Sequence, residues 1–125
     1  MTVARALIEA ENAADVERAV ALFHPDATVN DATGPHVGVD ELRAWQVRLR
    51  ENHFNAKMDD PTLNGDVASF HGMVQFDEFG RLGLTELEGV WEITAENGKV
   101  RRFDFWFTPE AGAALQHAIE QASAN

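Results

Sequence analysis

Apolar side chains recur at every second residue through much of the second half of the chain, and this pattern constrains the fold more than any other feature. Between residues 68 and 76, apolar residues and a glycine alternate with polar residues and Met73. A period of two is typical of strands that bury one face. The predicted strands cover residues 68–76, 82–95 and 100–107, and the predicted turns are Asn64-Gly65, Phe79-Gly80 and Asn97-Gly98.

The first half of the chain carries helical spacing instead. Asp15 begins and Pro25 ends a short apolar helix, and Thr108 followed by Pro109 predicts the start of a last helix. The predicted N-terminal helices cover residues 3–13, 15–23 and 40–52; strands are predicted at 27–31 and, broken near Pro61, at 54–63, with a loop over 31–39.

The order of these elements predicts an α+β fold. Helices come first and strands follow, so a curved, mostly antiparallel sheet is expected to wrap over three N-terminal helices, with a C-terminal helix after it. Such a cone would enclose a cavity. The chain has 125 residues, of which 45% are hydrophobic, and this size and composition predict one domain over residues 1–125.

Charge and composition exclude several classes of function. The 21 acidic and 10 basic residues give a formal net charge of −11, so neither nucleic acid nor an anionic membrane is an expected partner. The absence of cysteine excludes disulfides, thiolate catalysis and cysteine-bound metals. The first residues show no basic segment before an apolar core, and no apolar run is long enough to span a membrane. A soluble, cytoplasmic protein is therefore expected.

Asp31 is the principal candidate for chemistry. It closes the short β-like run that begins at Ala27, with apolar segments on both sides. A carboxylate in such a place can serve as a general base. The alternative is an aspartate that caps the following turn through the backbone. Because the sequence contains no tyrosine, no phenol is available to assist it.

Several segments stand in a characteristic order around Asp31. They are Asp15 with Val20-Ala21-Leu22-Phe23, Ala27-Thr28-Val29-Asn30-Asp31, Gly38 before the helix of Leu42 and Trp45, Val74-Gln75-Phe76-Asp77-Glu78-Phe79-Gly80-Arg81, and Gly98-Lys99-Val100. In this order and spacing the chain resembles the NTF2-like superfamily, and within it the ketosteroid isomerase and SnoaL-like branch. The resemblance covers most of the chain and implies the cone-shaped fold and a homodimer.

The resemblance also implies roles for single positions. In ketosteroid isomerases an aspartate at the position of Asp31 is the general base, and a tyrosine and a protonated aspartate form the oxyanion hole. Counting along the matched segments places these two donors at Leu7 and Gly89. Neither residue has a side chain that can donate a hydrogen bond, so a steroid isomerase with that full machinery is not expected.

A second acid, Asp104, is implied by a different part of the branch. SnoaL-like cyclases and limonene-epoxide-hydrolase-like members tend to carry an aspartate in the last strand, about five residues after the Ile or Val that follows the turn. In this chain Asp104 comes four residues after Val100, so it lies one residue short of the family position. A slip of one residue turns a strand side chain to the opposite face. Phe105 would then face the pocket, and Asp104 would form an ion pair with Arg102 on the outer surface.

Large apolar side chains and one histidine are the candidates for binding a ligand. Plain core packing is the alternative for each aromatic residue, and Trp91 could offer its indole N–H to a ligand oxygen. The five histidines lack the spacing of metal ligands, so no metal and no cofactor are expected. The substrate-binding candidates are Trp45, Phe70, Trp91, Phe105 and His53.

Two functions follow from these residues. The first is an enzyme of isomerase, cyclase or epoxide-hydrolase type, in which Asp31 transfers a proton on an apolar, carbonyl-bearing small molecule. The oxyanion would then be stabilised by Trp91, a histidine, backbone N–H groups or water. The second is a non-catalytic module of the same fold, which binds a small molecule or serves as a dimeric interaction surface. The sequence names neither the substrate nor the reaction.

Overall fold

The computed structural model of the protein describes residues 2–124, which contain five helices and seven strands. The helices are α1 (Val3–Asn12), α2 (Val16–Ala21), α3 (Val39–Glu51), α4 (Asp77–Arg81) and α5 (Pro109–Ser123). The strands are β1 (Phe23–Asp31), β2 (Gly34–Val37), β3 (Asn55–Met58), β4 (Thr62–Asn64), β5 (Val67–Gln75), β6 (Leu87–Glu96) and β7 (Lys99–Phe107).

The strands form one curved, unclosed sheet in the order β2-β1-β7-β6-β5-β3, with β4 paired to the other end of β5. All neighbours are antiparallel except β1 and β7, which run parallel. The predicted α+β class and the mostly antiparallel curved sheet are therefore confirmed. Within residues 2–124, no helix is both long enough and apolar enough to cross a membrane.

Three local predictions were wrong. The segment expected to be a loop contains β2. Pro35 has no backbone N–H to donate to a neighbouring strand, and a strand at the edge of the sheet tolerates this loss. Strand β1 begins at Phe23 rather than Ala27, and Pro25 lies where the register with β7 is interrupted. The turn expected at Phe79-Gly80 belongs to helix α4, whose first turn contains two acidic residues that favour a helix N-terminus.

The core lies between one face of the sheet and helices α1 to α3. Val29, Phe70, Trp91 and Phe103 alternate inward along their strands and are buried. Their removal from water supplies the main stabilisation, at roughly 25 cal/mol per Å² of apolar surface. The opposite face of the sheet is polar or charged at most positions, and Trp106 on it is 43% exposed.

A buried acid joins α1 to α3 inside this core. Glu11 is 4% exposed, and the Gln46 side-chain N–H donates to its Oε2 at 2.6 Å. Burial raises the pKa of the Glu11 carboxyl to about 8, because the charged form loses its hydration; the bond from Gln46 opposes this shift only in part. The folded protein therefore holds Glu11 uncharged at neutral pH.

Candidate functional site

A cavity of about 240 Å³ opens between the inner face of the sheet and helices α3, α4 and α5. Its surface is mostly apolar, because Phe103, Phe105 and Phe107 alternate inward along β7. Leu115 and Ile119 of α5 close one side. The polar and charged side chains that reach the cavity are those of Asp31, Thr33, Arg48 and Glu78.

Strand register explains why Asp31 lines this cavity. Val29 is fully buried on the inner face, and Asp31, two residues later, points to the same side. In the β1–β2 hairpin, Val29 pairs with His36 and Asp31 pairs with Gly34. The side chain of His36 is therefore on the inner face as well, diagonal to Asp31.

Within the part of the chain that the structure describes, four hydrogen bonds hold the Asp31 carboxylate, whose side chain is only 14% exposed. Its Oδ1 accepts from the Thr33 backbone N–H at 2.9 Å, from the Thr33 hydroxyl at 2.6 Å and from His36 Nε2 at 3.2 Å. Its Oδ2 accepts from the Trp45 indole N–H at 3.0 Å. The donors are thus unequally divided, and Oδ2 keeps an acceptor site for a ligand.

His36 completes a compact cluster around the carboxylate. Its Nε2 also lies 3.0 Å from the Thr33 hydroxyl oxygen. Because the Thr33 hydroxyl donates its proton to Asp31, it can only accept from His36, so the bond network assigns a proton to Nε2. The His36 ring is stacked on Trp45, at 6.1 Å between ring centroids and 16° between planes. Two aromatic residues therefore fix the orientation of one carboxylate.

Arg48 lies one turn beyond Trp45 on α3 and also lines the cavity. Its Nη2 donates to both carboxylate oxygens of Glu78, at 3.1 and 3.3 Å, and its guanidinium lies 5.9 Å from the centroid of the Phe76 ring. Both side chains of the pair are about two-fifths exposed, which places them where the cavity meets solvent. Arg48 is the basic residue among the cavity-lining side chains of the described chain.

Phe105 shapes the inner end of the cavity, where it packs directly on Gly89. A Cβ atom placed on Gly89 would lie 2.7 Å from Phe105 Cζ and closer still to Cε2, well inside normal contact distance. The Phe105 ring also lies 4.8 Å from the Trp91 ring, and Trp91 stacks on Phe70 at 5.1 Å. Apolar rings therefore fill the space that a side chain at position 89 would occupy.

The sequence-predicted site residues divide into three groups. Asp31, Trp45 and Phe105 come together around the cavity. Phe70 and Trp91 are not among the cavity-lining residues; they are buried in the core, Trp91 to 1% exposure.

The two remaining candidates lie elsewhere on the molecule. His53 is 81% exposed and its Nδ1 lies 2.6 Å from Asp77, at a separate surface depression. Asp104 is on the outer face of the sheet, where it accepts hydrogen bonds from Asn30 at 3.0 Å and Arg102 at 2.8 Å. Phe105 thus takes the inward position in this part of β7, as the one-residue slip in the sequence indicates.

Three side chains of the site were missed by sequence reasoning, namely Thr33, His36 and Arg48. Arg48 shares one helical face with positions 45 and 49, so the spacing along α3 contained a signal for it. His36 could have been found only if the hairpin register had been known. No group of three or more potential metal-binding side chains comes together within residues 2–124.

The sequence model of the SnoaL-like domain family matches residues 4–103. No curated protein matches the chain. Among solved structures, a candidate polyketide cyclase from Sinorhizobium meliloti is 22% identical, with a TM-score of 0.74 over 83% of this chain and 93% of that one.

Two further structures have the same architecture at lower identity. SalBIII, an epoxide hydrolase/cyclase-like enzyme described for pyran ring formation in the polyether salinomycin, has a TM-score of 0.78 at 13% identity, over 87% of this chain and 90% of that one. A Catenulispora acidiphila protein with a ketosteroid isomerase-like fold, solved with trimethylamine, has a TM-score of 0.74 at 14% identity, over 91% and 92%. These likenesses confirm the predicted NTF2-like fold.

Proposed function

Because the chain belongs to the SnoaL-like domain family, we propose that it transfers a proton on an apolar, carbonyl-bearing small molecule, with Asp31 as the base. The observation that carries the proposal is the position of Asp31 at the wall of an otherwise mostly apolar cavity. A base in such surroundings faces its substrate rather than bulk water. The reaction is of isomerase, cyclase or hydrolase type and uses the protein's own side chains.

The division of hydrogen bonds on Asp31 supports different tasks for its two oxygens. Thr33 and His36 anchor Oδ1, whereas Trp45 is the one donor to Oδ2 among residues 2–124. Oδ2 takes a proton from the carbon next to the carbonyl group, and the electron pair of the C–H bond forms an enolate. Asp31, now a carboxylic acid, returns the proton to another carbon or to an oxygen, which restores the carboxylate.

Arg48, the basic residue among the described side chains that line the cavity, is our candidate to stabilise the enolate oxygen. Its bonds to Glu78 both come from Nη2, which leaves the Nε–H and Nη1–H groups for a ligand oxygen. Trp91, expected from the sequence to contribute a donor, is buried outside the cavity lining. Removal of one donor to a developing oxyanion typically lowers kcat by about 10²- to 10³-fold.

The proposal is tested by the exchange of hydrogen for deuterium at the α-carbon of small cyclic ketones in D₂O, followed by NMR. This assay detects proton abstraction whatever the final product is. Wild-type protein is expected to accelerate the exchange, and Asp31→Asn is expected to abolish the acceleration while keeping the circular dichroism spectrum. Acceleration that persists in Asp31→Asn would contradict the role of Asp31.

The second candidate function is binding without turnover. It is supported by the four hydrogen bonds that hold the Asp31 carboxylate at the cavity wall, because a few fixed polar groups in an apolar cavity can orient a ligand without any chemical step. Aromatic rings beside Asp31 and Glu78 also suit a small alkylammonium ion, the class of ligand present in the Catenulispora structure. Binding of trimethylammonium, with no binding of neutral tert-butanol, would favour this candidate.

We also propose that the outer face of the sheet forms a homodimer. Trp106 is exposed there, on a face that also carries polar and apolar side chains such as His71, Val90 and Met73. Dimer interfaces combine an aromatic centre with such surroundings. Light scattering after size-exclusion chromatography is expected to give twice the 13.8 kDa mass of the chain, and Trp106→Asp is expected to give the monomer.

A further inference from the structure

We infer that Phe105 is a specificity-determining residue, which limits the cavity to ligands of one or two rings by filling the space above Gly89. The inference rests on the proposed function in one respect, because it takes the cavity to be the ligand site. It concerns size rather than chemistry, and can therefore be tested with molecules that carry no reactive group.

The geometry shows that Phe105 and Gly89 occupy one space between them. The Phe105 ring touches the Gly89 backbone so closely that a methyl group at position 89 could not be accommodated without movement of the ring. Phe105 lines the cavity, whereas Trp91, which packs 4.8 Å from it, does not. Removal of the Phe105 side chain would therefore extend the cavity toward Trp91 and the backbone of Gly89.

The volume of the cavity sets the size of the ligand that it can hold. A cavity on the order of 150 Å³ is sufficient to hold benzene, and the cavity of this protein measures about 240 Å³. One or two fused rings fit such a space, and a third ring does not. Replacement of Phe105 by alanine would remove one aromatic ring from the wall and leave room for about one ring of a ligand.

Benzene, naphthalene and phenanthrene measure the depth of the cavity directly. Their binding is followed by NMR shifts of the Trp45 indole N–H, which lies at the cavity wall, and by ligand fluorescence. Wild type is expected to bind naphthalene at least tenfold more tightly than phenanthrene. Phe105→Ala is expected to bind phenanthrene at least tenfold more tightly than wild type does, with Phe105→Leu between the two.

Phe70→Ala provides the matched control, because it deletes the same side chain from the other side of Trp91. It is expected to bring no gain in phenanthrene affinity. The inference would be overturned if wild type and Phe105→Ala both bound naphthalene but Phe105→Ala showed no gain in phenanthrene affinity. This result would leave the proposed function intact. Binding of the hydrocarbons in the expected order, without binding of cyclic ketones, would uphold the inference and contradict the proposed function.

Discussion

The indole N–H of Trp45 donates a hydrogen bond of 3.0 Å to Oδ2 of Asp31, the oxygen that receives no other donor within residues 2–124. This bond connects the last residue of β1 to the middle of α3, across 14 positions of sequence. The Trp45 ring is held in turn by Phe103, edge-on at 5.1 Å between centroids. The inner core of the protein therefore fixes the direction in which the proposed base points.

Trp45→Phe tests this bond, because phenylalanine keeps an aromatic ring beside Phe103 and removes the indole N–H. A hydrogen bond to a charged group contributes about 1.5–3 kcal/mol, so chemical denaturation is expected to show a loss of stability within this range. The rate of α-proton exchange is expected to fall by roughly tenfold. Trp106→Phe on the outer face is the control; an equal loss of rate there would contradict a specific role for Trp45.

His36→Phe tests the other side of the carboxylate. The variant keeps a ring that can stack on Trp45 and loses the Nε2–H group that reaches Asp31 and Thr33. Because His36 is a positioning residue, His36→Phe is expected to lower kcat by roughly tenfold and to leave KM near the wild-type value. The exposed His117 offers a matched control in His117→Phe. A change confined to KM would instead indicate that His36 contacts the ligand.

Glu11 predicts a pH dependence of stability. Its folded-state pKa of about 8 exceeds the ordinary value of 4.5, so the folded protein binds the proton more tightly than the unfolded chain does. The stability contribution of the protonated group is complete below pH 4.5 and is lost as the pH rises toward 8. The loss is at most on the order of 5 kcal/mol.

Glu11→Gln removes this titration and keeps a similar shape. The free energy of unfolding of the variant, relative to wild type, is expected to increase steadily between pH 5 and pH 8, as measured by denaturant titration. Glu9→Gln, on the exposed side of the same helix, is expected to leave the wild-type pH dependence unchanged. A constant difference between Glu11→Gln and wild type across this range would show that Glu11 is not protonated in the folded protein.

Gly89 and Phe105 are expected to be strongly coupled in stability. Gly89→Ala forces its new methyl group into the Phe105 ring, and overpacking of this kind costs about 1–3 kcal/mol. In a Phe105→Ala background that space is vacant, so the same methyl group should cost much less. A double-mutant cycle by chemical denaturation is expected to give a coupling energy of about 1–3 kcal/mol. Additive effects would mean that the two residues do not share one space.

The architecture was largely predictable from the sequence because hydrophobic periodicity is a local signal. The alternation of apolar side chains along the last strand predicted that Phe105 faces the cavity, and the NTF2-like resemblance followed from the order and spacing of short segments along the chain. The β1–β2 hairpin was missed because Gly34 and Pro35 also occur in loops, and only pairing with β1 identifies them as strand residues.

The residues that form the site were less predictable. A side chain must point to the inner face of the sheet and must also lie close enough to the cavity to line it. Trp91 and Phe105 point to the same face of neighbouring strands, yet Phe105 lines the cavity and Trp91 does not. Periodicity identifies the face of the sheet on which a residue lies, but not which of two packed rings borders the cavity. His36 and Asp31 are brought together by hairpin register, which the sequence pattern did not specify.

The most direct test of the account compares the α-proton exchange rate of a small cyclic ketone in D₂O for wild type, Asp31→Asn and Asp104→Asn. Both variants remove one carboxylate that has hydrogen-bonded partners, but only Asp31 lines the cavity. If Asp31 is the base, exchange is expected to be at least about 10³-fold slower with Asp31→Asn and to keep the wild-type rate with Asp104→Asn. Equal rates for wild type and Asp31→Asn, or a selective loss with Asp104→Asn, would contradict this role of Asp31.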